Sequence, residues 1–99
     1  MNISKINSAS FNGRLIIEDK NRSYDFDAEH ITRIVDDMDK KETHIHDYCD
    51  YGNYDAYLSI PYSVIPPSKI IAAYTAANNS FMNDGIFLKN TKGKCTFVG

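Results

Sequence analysis

The sequence predicts an α+β fold: an antiparallel sheet of three hairpins with two helices packed on one face, in the order ββ-α-ββ-α-ββ. Three observations lead there. Short β-rich runs flank turn signals at Lys20-Asn21, Gly52-Asn53 and Lys92-Gly93. Two intervening stretches, 31–38 and 70–77, place apolar residues at helical spacing. The chain has 99 residues, with 42% hydrophobic and 24% charged, the composition of one globular domain spanning 1–99. A domain of this size buries roughly two-thirds of its unfolded surface and has little room for an enclosed active site.

The first hairpin joins residues 14–18 to 22–26 around Lys20-Asn21. A two-residue loop there sets Leu15 opposite Phe26 and Ile17 opposite Tyr24, so both apolar pairs share a face. It also places Arg14 against Asp27 and Asp19 against Arg22, two favourable opposite-charge pairs. Asp27 then suits a helix N-cap, with Glu29 in the first turn. Ile31, Ile34, Val35 and Met38 follow at i, i+3, i+4 and i+7, which predicts a helix. The competing reading is a strand over 31–35, because Ile, Thr and Val are β-branched.

The second hairpin runs from Thr43 to Ile60 and carries tyrosine at every third position from Tyr48 to Tyr57. Folding it about Gly52-Asn53 pairs Ile45 with Ile60, His46 with Ser59, Tyr48 with Tyr57 and Asp50 with Asp55. One face then holds Ile45, Asp47, Cys49, Tyr51, Tyr54, Ala56, Leu58 and Ile60, and is mostly apolar. The opposite face holds His44, His46, Tyr48, Asp50, Asp55, Tyr57 and Ser59, and is expected to face water. Pro61 closes that strand. Residues 68–77 form the second helix, with Pro67 near its first position, four alanines, and Ile70, Ala73, Tyr74 and Ala77 on one stripe. Asn78-Asn79 suit its C-terminal end. The third hairpin pairs 86–88 with 95–98.

Charge is segregated along the chain. Residues 18–55 carry twelve acids against five bases, whereas residues 56–99 carry one acid against four lysines; the whole chain is at −2. Such asymmetry bears on partners and steering, and not on fold. The acidic middle disfavours direct nucleic-acid binding, which needs clustered Lys and Arg. The three lysines of 89–94 read as a solvated edge that discourages sheet-to-sheet pairing. No apolar run is long enough for a signal peptide or a membrane span, so a cytoplasmic protein without membrane contact is expected. Cys49 and Cys95 are too far apart for a CxxC motif and read as buried thiols.

No catalytic signature is present: no nucleophile elbow, phosphate loop or dinucleotide glycine fingerprint. The expected protein is therefore not an enzyme and needs no cofactor. His44 and His46 point the same way on a strand, about 6.7 Å apart, and form a weak candidate for a metal or small-ligand site. Asp47 faces the other way and does not complete a coordination sphere. The stronger feature is Asp50 opposite Asp55, like charges that repel across a hairpin with no base nearby. Tyr48 and Tyr57 flank them, and tyrosine recurs at interfaces beside arginine. Tyr48, Asp50, Asp55 and Tyr57 thus form a candidate docking patch for a basic partner surface, or for self-association. An alternative of the same class is a phage-type, anti-CRISPR-like inhibitor of a nucleic-acid-handling complex.

Overall fold

In the computed structural model, residues 13–47, 55–80, 84–89 and 92–99 are described. Among them lie seven strands in two sheets and one α-helix. The strands are β1 (Arg14–Glu18), β2 (Ser23–Asp27), β3 (Ile31–Asp37), β4 (Glu42–Asp47), β5 (Tyr57–Pro61), β6 (Gly85–Lys89) and β7 (Thr96–Val98). The helix α1 spans Pro67–Asn78. The first sheet has the order β2-β1-β6 and the second β3-β4-β5-β7. This mostly β arrangement overturns the predicted ββ-α-ββ-α-ββ fold on a single sheet. Among the described residues, no helix is long and apolar enough to cross a membrane.

The first hairpin forms in the register that the sequence predicts: Leu15 faces Phe26, Ile17 faces Tyr24 and Arg14 faces Asp27. Arg14 Nε donates to Asp25 Oδ1 at 3.1 Å, and Arg14 Nη1 lies 3.5 Å from Asp27. Asp27 precedes only a single 3-10 turn, Ala28–His30, and makes no side-chain cap. The chain then enters β3 in place of the predicted first helix.

The reason is a β-bulge. Ile31 pairs with Asp47, Arg33 with His46 and Ile34 with Ile45, so Thr32 is an extra residue in the ladder. The bulge resets the side-chain alternation and puts Ile31 and Ile34, three apart, on the same face as Ile45. A spacing that reads as helical is a strand with one residue inserted. Met38, the fourth member of the stripe, sits 73% exposed in the β3–β4 turn. β-branched Ile31, Thr32, Ile34 and Val35 settle the competition in favour of extended backbone.

β4 and β5 pair with Ile45 opposite Leu58 and His44 opposite Ser59. This register is offset by two from the predicted one, in which Ile45 faced Ile60. A shift of two preserves the faces, so Ile45, Leu58 and Ile60 still point into the core. The predicted third hairpin does not form. β6 instead runs parallel to β1, with Leu15 beside Ile86 and Ile17 beside Leu88. β7 joins the other sheet at the outer edge of β5, with Leu58 opposite Phe97.

Helix α1 forms as predicted. Pro66 is its N-cap in extended conformation, Pro67 supplies the preset φ of the first turn, and Ile70, Ala73 and Ala77 are buried. Asn79 is the C-cap, its side-chain amide donating to Thr75 O at 3.0 Å. The helix lies against β1 and β6. One hydrophobic cluster joins Leu15 and Ile17 of the first sheet, Ile31, Ile45, Leu58 and Ile60 of the second, Ile70 and Ala73 of the helix, and Cys95.

Candidate functional site

The Asp19 carboxylate gathers four hydrogen-bond donors. The residue closes β1 and is only 7% exposed. Its Oδ1 accepts the backbone N–H of Asn21 at 2.7 Å and of Arg22 at 2.9 Å, an Asx turn that shapes the β1–β2 connection. Its Oδ2 accepts the Cys95 N–H at 2.6 Å and faces the Tyr24 hydroxyl at 3.4 Å. Burial pushes the carboxyl pKa up, but the three N–H donors and Tyr24 outweigh it and hold the group below the usual carboxylate range. Cys95 is a free, buried thiol pushed up to about 12, first by desolvation and then by the neighbouring Asp19 charge. Such a thiol is a packing group and not a nucleophile.

The histidine face differs from the wet surface that the sequence predicts. His44 is 7% and His46 4% exposed. The His44 ring stacks on Tyr57, with centroids 4.0 Å apart and planes inclined by 26°, and His46 leans on the same ring at 5.2 Å. His44 Nε2 lies 2.7 Å from Glu42 Oε1. A carboxylate only accepts, so Nε2 carries the proton and donates. Tyr57 is half-buried over the two histidines and therefore does structural work as well as bordering the surface. Among the described residues, no three His, Cys, Asp or Glu side chains converge to hold a metal ion. The histidine pair is a packed element of the sheet face.

Of the candidate docking patch, Asp55 is exposed and Tyr57 half-buried at the start of β5. Tyr48 and Asp50, and with them the predicted Asp50–Asp55 pair, lie outside the described residues, as does the Gly52-Asn53 turn.

Next to Tyr57 the structure opens a cleft that the sequence did not reveal. It lies between edge strand β2 and the β4–β5–β7 part of the second sheet, with a volume of about 170 Å³. Tyr24 and Phe26 line one wall, and Ile45, Leu58 and Phe97 the other. Arg22, Asp25, Asp47 and Tyr57 also border it. Phe97 remains 43% exposed there. The Arg22 guanidinium sits 5.0 Å from the Tyr24 ring centroid, so this aromatic wall already carries one stacked cation. Drug-sized ligands need about 300–1,000 Å³. This cleft instead matches a single side chain. Tyr24 and Phe26 were readable as one face of a hairpin, but Phe97 reaches them only because β7 joins the second sheet.

Comparison of the chain with protein-family models, curated proteins and solved structures finds no match to any of them.

Proposed function

We propose that the protein is a small, non-catalytic interaction domain that binds a basic protein surface through its acidic, aromatic end. The observation that carries this reading is the aromatic cleft bordered by Asp25 and Asp47 beside Tyr57 and Asp55. Apart from Phe97, the residues that line it fall within 22–58, and the stretch 18–55 carries twelve acids against five bases. Tyrosine and phenylalanine supply contact area at low entropic cost, and carboxylates around them select cationic side chains. Of the candidate patch Tyr48, Asp50, Asp55 and Tyr57, Tyr57 borders this cleft and Asp55, two residues before it, is exposed.

The test replaces Asp50 and Asp55 together by lysine. A partner identified by capture from the source cell is purified, and its affinity for both forms is measured over a range of salt concentrations. The reading expects a basic partner, binding that weakens with salt, and loss of at least tenfold in the double variant at an unchanged melting temperature. A partner that binds both forms equally well overturns it.

A further inference from the structure

We infer that the edge of β2 left unpaired among the described residues is a docking site for an extended partner strand that alternates apolar and basic residues. This rests on the reading above that the partner is basic. It adds which element of the fold receives the partner, and how.

The backbone phase of β2 is fixed by two hydrogen bonds at its ends. Asp19 N–H donates to Arg22 O, and Ala28 N–H donates to Gly13 O, both at 3.0 Å. The register between them is regular, so Leu15/Phe26 and Ile17/Tyr24 are the hydrogen-bonded pairs of the antiparallel ladder. Ser23, Asp25 and Asp27 belong to the other class, and their N–H and C=O groups point away from β1. Among the described residues β2 pairs with β1 alone, so these groups face the sheet edge. An edge with outward backbone groups at every second residue is the template for strand addition.

Two further features say what would be added. The cleft runs along this edge, since Ser23, Tyr24, Asp25 and Phe26 all line it. Side chains on the core side of an added strand would enter between Phe26 and Phe97, an environment for an apolar or aromatic residue. Side chains on the other side would meet Asp25 and Asp27, whose carboxylates are each 45% exposed; Arg14 lies against both, and His30 Nδ1 lies 3.4 Å from Asp27 Oδ2. That face therefore selects lysine or arginine. A second copy of β2 is a poor occupant, because antiparallel self-pairing sets the same aspartates against one another.

The experiment uses the full chain and an end-blocked peptide, Lys-Val-Lys-Phe-Lys-Val-Lys, with a companion carrying glutamate in place of lysine. Binding is titrated at several salt concentrations, and amide exchange is read residue by residue. The inference expects the lysine peptide to bind, the Ser23 and Asp25 amides to exchange at least tenfold more slowly, and the glutamate peptide to do neither. Asp25→Asn with Asp27→Asn, checked for folding by thermal melting, should weaken binding about tenfold. Phe97→Ala, which leaves β2 untouched, should weaken it as well. Binding with exchange slowed only elsewhere overturns the edge while leaving a basic partner in place. Equal protection by the glutamate peptide overturns the charge selection and counts against the basic partner too. Binding by neither peptide overturns the docking site, and the Asp50/Asp55 replacement still judges the wider reading separately. Protection of Ser23 and Asp25 that rises with protein concentration alone assigns the edge to a second copy and overturns the inference.

Discussion

Asp19 and Cys95, 76 residues apart, are joined by a 2.6 Å hydrogen bond from the Cys95 backbone N–H to Asp19 Oδ2. That bond ties the first hairpin, the end of one sheet, to the segment that leads into β7, the edge of the other. The Lys20 N–H to Gly93 O bond, at 3.0 Å, runs beside it. Replacing Asp19 by alanine leaves three backbone donors to find other partners, two of them in the turn and one buried. Hydrogen bonds to charged acceptors contribute about 1.5–3 kcal/mol, and effects within one network are not additive. Asp19→Ala is expected to cost about 3 kcal/mol in urea unfolding. Asp19→Asn, which keeps one acceptor oxygen, should cost less.

The same carboxylate gives the fold an acid limit. Its folded pKa is lowered, so its contribution is fully present above the unfolded value, about 4. It is lost as pH falls through the folded pKa, because the unfolded state then binds the proton more tightly. Urea midpoints between pH 6 and pH 2 should fall more steeply for the native protein than for Asp19→Asn. Parallel curves would remove Asp19 from this role.

Cys95 should resist modification. With its thiol pushed up to about 12 and its side chain buried, almost no thiolate exists near neutrality. Iodoacetamide at pH 8, followed by peptide mapping, should leave Cys95 unmodified in the native protein and label it completely in urea.

Thr43 is fully buried on the core side of β4, and its hydroxyl has no hydrogen-bond partner among the described residues. Valine has nearly the same shape and the same strand preference, without the desolvated oxygen. Thr43→Val should raise stability by about 1 kcal/mol, read as a higher urea midpoint at unchanged m-value. A loss of stability would mean that the hydroxyl is satisfied.

The His44–Tyr57 stack couples neighbouring strands across their outer face. Aromatic pairs contribute about 0.5–1.5 kcal/mol beyond area burial. A double-mutant cycle with His44→Ala and Tyr57→Ala should return a coupling in that range. A coupling near zero would show that the two rings are neighbours without energetic consequence.

Several elements were legible in the sequence. The β1–β2 register followed from apolar alternation and two charge pairs around a short turn, all local information. Helix α1 followed from Pro67, the alanines and the Ile70–Ala77 stripe. The two faces of β4 and β5 were also readable, because an offset of two residues leaves every side chain on its own face. The first helix was misread because the Thr32 bulge gives a strand the spacing of a helix. Asp19 carried a readable signal as well, since aspartate two residues before Asn21 is turn chemistry. Its bond to Cys95 carried none.

What the sequence determined by itself is the set of local elements with strong alternation or stripes, together with the acidity of the stretch 18–55. Tertiary structure decided the rest: that β6 lies parallel to β1, that β7 crosses to the second sheet, and that His44 and His46 are packed under Tyr57. It also brought Phe97 to Tyr24 and Phe26, the cleft on which the functional reading stands. The physical reason is range. Backbone propensity and side-chain period act over a few residues, whereas strand partners far apart in the chain are chosen by which edges remain to be covered once the core has closed.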